Sequence, residues 1–370
     1  MIKKGLSVLS SLILILLLVG CSNTSSLTST KTEIKPTTQT TIHQESTTSN
    51  TFTVKSPTNK GTYYKLSNRA YADDSKTMDQ IYDLYLPENY EELDSISVCL
   101  FLHGGTWVFG SKDMTDYQEL TTLFKDELVV NNHIAFITMN YRLISLKDGD
   151  SPSMYDMLDD IDSCINDFKK VLTYYGLRVN KLIIGGHSAG AHLALLYSYM
   201  EERRESSAIP LDAVYSLSGP VNISMDQFLP YLNSLKQAIE SGGYIFGLSG
   251  SNAFKQLTGM EYTEANFETA IYRIAEHGTE SKTREEAELA LPNISPINYV
   301  NQSSIRTLIL HGSSDSIVPF SQARELNDKL NSYNIEKQIF SRPTDHMGIV
   351  SRSNLVNSGF LAKLIEWLLS

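Results

Sequence analysis

Short apolar runs alternate with longer amphipathic segments along most of the chain from Tyr63 onward. Runs that are apolar throughout are typical of strands buried on both faces of a parallel sheet. The earliest run ends at Pro87, which favours a position near a sheet edge. Seven runs predict strands: Ile81–Leu86, Ile96–Leu102, Ile134–Met139, Lys181–Gly186, Leu211–Leu217, Ile305–Leu310 and Ile335–Phe340.

The segments between these runs have the spacing of apolar residues that is typical of helices with one buried face. An alternation of strands and helices favours a mainly parallel sheet with helices on both of its faces. The sequence therefore predicts an α/β fold. The predicted helices lie near Met114–Leu128, Ser153–Tyr175, Ser188–Arg203, Ser321–Asn331 and Leu355–Leu369.

The alternation of strands and helices is interrupted between Val221 and Ser304, where no strand-like run occurs at the expected spacing. This segment contains helix-like pieces, many aromatic residues and glycine-rich turns such as Ser241–Gly243. An insertion of this size between two strands is most simply a cap above the sheet. We therefore predict that residues 221–304 form a cap insertion within one domain that covers residues 61–370.

The first 20 residues have the pattern of an export signal, with Lys3 and Lys4 followed by the apolar stretch Leu6–Val19. That stretch is shorter than the roughly 20 residues of a membrane-spanning helix, so a permanent transmembrane anchor is the less favoured alternative. The end of the stretch, Leu18–Cys21, resembles the lipobox of bacterial lipoproteins. The resemblance implies cleavage before Cys21 and diacylglycerol on its thiol, and hence a lipid-anchored protein on the extracytoplasmic face of a cell membrane.

Ser and Thr dominate the sequence from the predicted lipid site to about residue 60, and aliphatic residues are few. A segment of this composition cannot bury a core, so residues 21–60 are predicted to form a disordered tether. With Cys21 assigned to the lipid, Cys99 and Cys164 remain, and two such residues do not form a disulfide framework.

The composition allows a large core, with 41% hydrophobic and 20% charged residues, and a length of 370 residues is compatible with one or two domains. The formal net charge is −11, and removal of Lys3 and Lys4 with the signal takes it to −13. Nucleic-acid binding depends on Lys and Arg that neutralise phosphates. A surface this acidic therefore excludes nucleic acid as the expected partner.

The segment Gly186–Gly190 reads Gly-His-Ser-Ala-Gly and lies between a predicted strand and an apolar helix. It fits the G-x-S-x-G nucleophile elbow, in which small residues flank the serine because the turn from strand to helix is sharp. The alternative, an ordinary glycine-rich turn, does not explain why strand, serine and helix occur together. Ser188 is therefore the candidate nucleophile.

A serine hydroxyl needs a base to take its proton and an acid to orient that base. Asp315 and His346 each follow a predicted strand, and they follow Ser188 in the chain order of α/β-hydrolases. We therefore expect the triad Ser188, Asp315 and His346. A turn-forming role for Asp315, a surface-loop role for His346, and Asp345 as a competing acid remain the alternatives.

Acyl transfer also requires donors for the negative oxygen of the tetrahedral intermediate. The turn His103–Trp107 follows the strand Ile96–Leu102, which places it beside the elbow. Backbone N–H groups of Gly105 or Thr106, together with that of Ala189, are the candidate donors. The alternative is a tight turn without a catalytic part.

Taken together, the turn His103–Gly105, the elbow Gly186–Gly190, Asp315 and His346 resemble the hormone-sensitive-lipase-like and carbohydrate-esterase-like branch of the α/β-hydrolase superfamily. The similarity covers roughly Tyr63–Ser370. It implies an α/β-hydrolase fold and a serine esterase that acts through an acyl-enzyme, with no metal or organic cofactor.

Two further pairs, Ser295–Pro296 and Val318–Pro319, also match the family pattern. One position departs from it, because many relatives have a third glycine where this chain has Thr106. His187 and His192 lie five residues apart without a nearby carboxylate pattern, which favours packing and hydrogen bonding over a metal site.

The expected substrate is a small-molecule or carbohydrate ester with a short acyl group, acetyl above all. The predicted cap interleaves its apolar positions with Ser, Asn, Gln and Glu, which does not suit the continuous apolar trough of a long-chain lipase. A peptidase or amidase with the same triad is one alternative, because fold and triad do not choose the leaving group. A non-catalytic hydrolase-fold binding protein is another.

Overall fold

The computed structural model describes residues 54–72, 78–147, 149–224, 236, 240, 244–245 and 248–370. The predicted signal peptide, the lipidation site Cys21 and most of the predicted tether lie outside the described residues. Thr58–Asn59 already pair with the first long strand, so paired structure begins just before residue 61, the predicted start of the domain.

A nine-stranded sheet forms the centre of the molecule, in the order β1-β2-β3-β5-β4-β6-β7-β10-β11. The first three strands pair antiparallel with their neighbours, and the remaining pairs are parallel. The hairpin β8–β9 forms a separate two-stranded sheet. The strands are β1 (Thr58–Asn59), β2 (Tyr63–Ala70), β3 (Ile81–Pro87), β4 (Ser95–Leu102), β5 (Ala135–Met139), β6 (Arg178–His187), β7 (Leu211–Leu217), β8 (Tyr244–Ile245), β9 (Leu248–Ser249), β10 (Arg306–Gly312) and β11 (Lys337–Arg342).

All seven predicted strands are present in the main sheet, which confirms the mainly parallel α/β fold. β3 lies near an edge of the sheet, as predicted, but not at the edge itself, because β1 and β2 lie beyond it and all its residues are buried. The pattern does not indicate β2 because Lys65, Asn68 and Arg69 interrupt it, and a bulge falls between Leu66 and Arg69.

Helices cover both faces of the sheet. Alternate side chains of β4 point to opposite faces, so Leu100 packs in the cluster that includes α2, α3 and α8, whereas Phe101 packs in the cluster of α1, α9 and α10. The α-helices are α1 (Gln118–Phe124), α2 (Met154–Tyr174), α3 (Ala189–Tyr199), α4 (Glu201–Ser206), α5 (Gly250–Thr258), α6 (Glu264–Gly278), α7 (Arg284–Ala290), α8 (Phe320–Ser332), α9 (Arg352–Asn357) and α10 (Phe360–Leu369).

Three of the five predicted helices are interrupted by a local change of backbone. Extended backbone at Met200 separates α3 from α4, and Gly359 in the left-handed region (φ 86°) separates α9 from α10. The first predicted helix begins with a 3-10 turn and ends in the π-helical stretch Lys125–Val130. The other two form single helices, α2 and α8, and Ser153 caps α2 as the first residue of a capping box.

The described part of the 221–304 insertion contains α5, α6, α7 and the short hairpin β8–β9, and it adds no strand to the main sheet. Helix α6 packs on the loop that follows β5. The ring of His277 donates from Nδ1 to the carbonyl of Ser145 at 2.9 Å, and the buried Ile274 joins the larger apolar cluster. The insertion therefore contacts the edge of the sheet where the parallel strands end.

Candidate active site

Ser188 lies at a sharp turn between β6 and α3. Its backbone angles, φ 54° and ψ −121°, are strained for a residue with a side chain. A Cβ atom on Gly186 or Gly190 would lie 2.4 or 2.3 Å from the carbonyl oxygen of Leu102, so this close approach requires glycine at both positions. The geometry is that of a nucleophile elbow, as predicted from the motif.

Asp315 and His346 meet through a short hydrogen bond. Nδ1 of His346 lies 2.7 Å from Oδ2 of Asp315, and both side chains are buried. The other carboxylate oxygen accepts the amides of Ile317 and Val318, each at 2.9 Å. The carboxylate is therefore fixed on both oxygens and orients the imidazole.

Electrostatics keep this carboxylate charged. Burial alone favours the neutral acid, but the hydrogen bond from His346, the charges of His346 and His311, and the amide of Val318 outweigh it. The pKa of Asp315 is therefore below its ordinary value. A carboxylate that stays ionised near neutral pH can stabilise an imidazolium beside it.

The competing acid, Asp345, is exposed and has a different local role. Its Oδ1 accepts the amide of Gly348 at 2.7 Å, which closes the turn after His346. Of the two acids considered from the sequence, the structure places Asp315 at the imidazole.

His187 joins Ser188 to the loop that carries His346. Its ring lies against the ring of His346, with 4.7 Å between their centres, and its Nε2 donates to the backbone carbonyl of His346 at 3.0 Å. Because His187 immediately precedes Ser188, the serine and the imidazole of His346 belong to one compact site. Within the described residues, the Ser188 hydroxyl makes no hydrogen bond to His346, and such bonds commonly tighten only when substrate is bound.

The turn after β4 carries the predicted oxyanion donors. Thr106 adopts φ 51°, in the left-handed region that glycine enters freely, and the next residue, Trp107, has φ 64°. Thr106 and Ala189 line the same cavity as Ser188. The amide of Gly104 is occupied, because it donates to the hydroxyl of Tyr117 at 2.8 Å.

Gly105 is constrained at φ 128°, where a Cβ atom would lie 2.0 Å from the carbonyl of Phe109. Among the described residues, no hydrogen bond occupies the amides of Gly105 and Thr106. Ala189 begins α3, so its amide has no partner inside the helix. These three amides are the ones that the sequence predicts for the oxyanion hole.

Trp107 is held in its strained conformation by His192. The indole Nε1 donates to His192 Nδ1 at 3.2 Å, and His192 Nε2 donates to the carbonyl of Ile294 at 2.7 Å. Burial lowers the pKa of His192 to about 4, although the hydrogen bond to Ile294 opposes the shift. The neutral ring therefore links the end of the insertion to the turn His103–Trp107, which carries the predicted oxyanion donors and is called the oxyanion turn below. This agrees with the hydrogen-bonding role expected for His192.

A cavity with a volume of about 510 Å³, including its open mouth, lies beside Ser188. Its wall is mostly apolar. Gln322, which the sequence did not single out, fixes one side, because its Oε1 accepts the amides of Val221 and Asn222 at 2.8 and 2.9 Å. The lining residues are Thr106, Trp107, Ser188, Ala189, Pro220, Asn222, Ile223, Ser224, Ile317, Val318, Pro319 and Gln322.

The described residues contain neither a cluster of metal-binding side chains nor a membrane-spanning helix. In that part of the chain, no group of three or more His, Cys, Asp and Glu side chains is placed to hold a metal ion. None of its helices is long and apolar enough to cross a membrane. Both remaining cysteines, Cys99 and Cys164, are buried and unpaired with each other.

A mainly parallel sheet with a serine elbow after one strand, and with an acid and a histidine after later strands, defines an α/β-hydrolase. The chain belongs to the BD-FAE family, a family of α/β-hydrolase-like esterases whose model matches residues 82–330.

A curated relative and several solved structures are also similar to this chain. The isoprenylcysteine alpha-carbonyl methylesterase of Arabidopsis thaliana is 24% identical over 259 residues, which is 70% of this chain and 51% of that protein. The chain therefore spans about half the length of this relative.

Among solved structures, a truncated carbohydrate esterase from gut microbiota has a TM-score of 0.58 at 18% identity, covering 85% of this chain and 100% of its own. Esterase B from Lactobacillus Rhamnosis has a TM-score of 0.57 at 12% identity, covering 83% and 86%. At these identities the likeness shows the fold, and it confirms the α/β-hydrolase architecture.

Proposed function

We propose that this protein is a serine carboxylic ester hydrolase with Ser188 as nucleophile, His346 as base and Asp315 as the acid that orients it. The observation that carries the proposal is the bond of 2.7 Å between His346 Nδ1 and Asp315 Oδ2, formed beside a serine in the strained elbow conformation. Membership of an esterase family and the esterase name of the curated relative support the same reaction.

In the proposed mechanism, His346 takes the proton of Ser188 as its oxygen attacks the ester carbonyl. Amides of Gly105 or Thr106, with that of Ala189, stabilise the negative oxygen of the tetrahedral intermediate. His346 then gives its proton to the leaving alcohol, and the acyl-enzyme forms. Water, deprotonated by the same imidazole, attacks the acyl-enzyme. His346 returns this proton to the oxygen of Ser188 as the intermediate collapses, and the carboxylic acid is released.

We propose a short acyl group, with acetyl preferred, on a bulky alcohol that includes carbohydrate. The lining of the cavity beside Ser188 includes the apolar residues Ile317 and Val318, which suit a small hydrocarbon chain. It also includes the polar residues Asn222, Ser224 and Gln322, which a continuous apolar trough would not contain. The carbohydrate esterase among the structural neighbours is consistent with a carbohydrate alcohol.

We also propose that the mature enzyme is attached to the extracytoplasmic face of a cell membrane by lipid on Cys21. The support is the sequence alone, in the lipobox-like end of the signal and the Ser/Thr-rich segment after it. The substitution Cys21→Ser is expected to abolish lipid labelling and to move the protein out of the membrane fraction. Unchanged mass and fractionation would contradict the anchor and would leave the esterase proposal intact.

The enzymatic proposal is tested with purified protein lacking residues 1–53, assayed on a panel of acyl esters and aminoacyl amides. We expect ester hydrolysis and covalent labelling by a fluorophosphonate, and both should disappear in Ser188→Ala. Labelling that persists in the variant would identify another nucleophile. Faster cleavage of the amides would favour a peptidase, and an inactive, unlabelled wild-type protein would favour a binding role.

A further inference from the structure

We infer that Tyr117 and His187 are positioning residues that join the oxyanion turn, the nucleophile elbow and the loop of His346 into one hydrogen-bonded unit. The inference rests on the proposed esterase function. It assigns a role to His187, which the motif leaves variable, and to Tyr117, which precedes α1 and lies outside every motif in the sequence.

Three hydrogen bonds form the chain. The hydroxyl oxygen of Tyr117 accepts the amide of Gly104 at 2.8 Å and lies 3.0 Å from His187 Nδ1. His187 Nε2 lies 3.0 Å from the carbonyl oxygen of His346. The chain thus runs from the oxyanion turn to the histidine loop through the residue adjacent to Ser188.

The direction of each bond follows from the chemistry of the partners. A carbonyl only accepts, so His187 must carry its proton on Nε2 and donate it to His346. Nδ1 of the neutral ring is then an acceptor, and the one hydroxyl proton of Tyr117 points to it. The same hydroxyl oxygen accepts from Gly104, so every donor in the chain has an acceptor.

Protonation of His187 would break this order, because Nδ1 would become a donor and the buried hydroxyl proton of Tyr117 would lose its acceptor. The site opposes protonation. Burial and the neighbouring charge of His346 lower the pKa of His187 to about 3, against the hydrogen bond to His346 and the charge of Asp315. The neutral tautomer is therefore the form present throughout the neutral range.

Packing leaves this chain of hydrogen bonds little freedom to rearrange. Tyr117 is buried, and its ring meets the ring of Phe101 at 70° with 5.2 Å between centres. A Cβ atom on Gly104 would lie 2.7 Å from the Tyr117 hydroxyl and 3.1 Å from the Cβ of Ser188. The oxyanion turn is thus pressed between Tyr117 and the nucleophile.

His346 is consequently held at two points, by Asp315 at Nδ1 and by His187 at its backbone carbonyl. Fixing both the side chain and the main chain limits where Nε2 can point. On the other side, the bond from Gly104 fixes the amide immediately before the candidate donors Gly105 and Thr106. Loss of these hydrogen bonds should give both the imidazole of His346 and the oxyanion turn more freedom to move.

The experiment compares Tyr117→Phe with Tyr199→Phe in otherwise unchanged enzyme. Tyr199 is a matched control, because it is also fully buried and its hydroxyl bonds Thr307, at the opposite end of the strands from Ser188. We expect Tyr117→Phe to lower kcat and the rate of fluorophosphonate labelling by about 10- to 100-fold, the equivalent of one lost buried hydrogen bond, with KM little changed. Tyr199→Phe should leave both rates near those of the wild type.

Two substitutions of His187 test whether a conservative replacement preserves activity. His187→Gln retains an amide donor near the position of Nε2, whereas His187→Ala retains none, so the Gln variant should keep more of the activity. Tyr117 and His187 belong to the same chain of hydrogen bonds. In Tyr117→Phe/His187→Gln, the second substitution should therefore lower kcat by a smaller factor than it does alone.

Equal rate losses in Tyr117→Phe and Tyr199→Phe would overturn the inference, as would additive effects of Tyr117→Phe and His187→Gln. These outcomes are distinct from failure of the proposed function, which would appear as a wild-type protein without esterase activity or as a labelled Ser188→Ala variant.

Discussion

Oδ2 of Asp315 accepts a hydrogen bond from Nδ1 of His346 at 2.7 Å, although 31 residues separate the two in the chain. The pairing of the strands explains this proximity. Asp315 follows β10 and His346 follows β11, and these strands are parallel neighbours from Thr307 opposite Lys337 to Gly312 opposite Arg342. Parallel neighbours end at the same edge, so the two loops meet there.

Asp315→Asn is the first test of this relationship. The amide cannot stabilise the imidazolium as a carboxylate does, and it can hold the ring in the wrong tautomer. We expect kcat for ester hydrolysis to fall by about three to four orders of magnitude while the fold is retained. Steady-state kinetics and circular dichroism of the purified variant provide the measurement.

Asp345→Asn is the matched control, because this neighbouring acid is exposed and bonds only the amide of Gly348 among the described contacts. We expect kcat within a few-fold of the wild type. A larger loss in Asp345→Asn than in Asp315→Asn would show that Asp345 orients the base.

The sequence indicates where Ser188, Asp315 and His346 lie because each follows a strand with an unambiguous apolar pattern. Ser188, Asp315 and His346 all lie after parallel strands, so the alternation of strands and helices alone brings them to one edge. The elbow glycines add a local signal, because only glycine tolerates the contact with Leu102.

The remaining parts of the site depend on contacts between distant segments, which no local pattern reveals. Tyr117 bonds Gly104 across 13 residues and His187 across 70, and Gln322 bonds Val221 across 101. The positive φ of Thr106 is also hidden, because its residue type favours other backbone angles.

A second prediction concerns Gly190, where a side chain has no room. A Cβ atom there would lie 2.3 and 2.4 Å from the carbonyl oxygens of Leu102 and His103. Gly190→Ala is expected to lower the free energy of unfolding by about 3 kcal/mol and to slow labelling of Ser188, because the elbow and the oxyanion turn must separate. Denaturant unfolding and fluorophosphonate kinetics measure the two effects.

Gly278→Ala is the control for this substitution. Its Cβ would meet only flexible side chains, the nearest being the terminal methyl of Met154 at 3.2 Å. The position ends α6, so we expect a change within about 1 kcal/mol and normal labelling. Equal effects of the two alanines would contradict the steric argument.

A third prediction is that stability falls as the pH drops below about 6.5, the ordinary pKa of histidine. Burial lowers the pKa of His103 and His192 to about 4, and that of His187 to about 3. Between these values and 6.5 the unfolded chain binds protons that the folded protein does not, so acid favours unfolding. Within that window, each such histidine lowers the free energy of unfolding by about 1.4 kcal/mol for each unit by which the pH falls.

His192→Gln tests the sign and the assignment, because glutamine does not titrate. The variant's free energy of unfolding, measured with denaturant from pH 7 to about pH 4.5, should decline less steeply than that of the wild type by about 1.4 kcal/mol per pH unit. The slope reports titration separately from any constant loss of stability. An unchanged slope would show that His192 is not a neutral buried group.

A fourth prediction concerns Trp107, whose indole bonds His192 while its backbone lies in the oxyanion turn. Trp107→Phe keeps an aromatic ring but removes this donor. We expect kcat to fall by about tenfold with KM less affected, because one buried hydrogen bond that fixes the turn is lost. A change confined to KM would indicate that Trp107 contacts substrate and does not position the oxyanion donors.

The last prediction concerns acyl length and the side chain of Ile317, which lines the cavity beside Ser188. Its amide bonds Asp315, but that bond belongs to the backbone and survives truncation of the side chain. In wild-type enzyme, kcat/KM for p-nitrophenyl esters of about two to twelve carbons should be highest at the short end. Ile317→Ala enlarges the apolar part of the cavity, so kcat/KM for an ester one carbon longer should rise about tenfold relative to acetate. One methylene in such a pocket contributes about 1 to 3 kcal/mol. Leu289→Ala, which shortens a side chain that is 82% exposed on α7, should leave the preference unchanged. A wild-type maximum at the long end would contradict the short-acyl proposal, and an Ile317→Ala profile identical to the wild type would place the acyl chain elsewhere in the site.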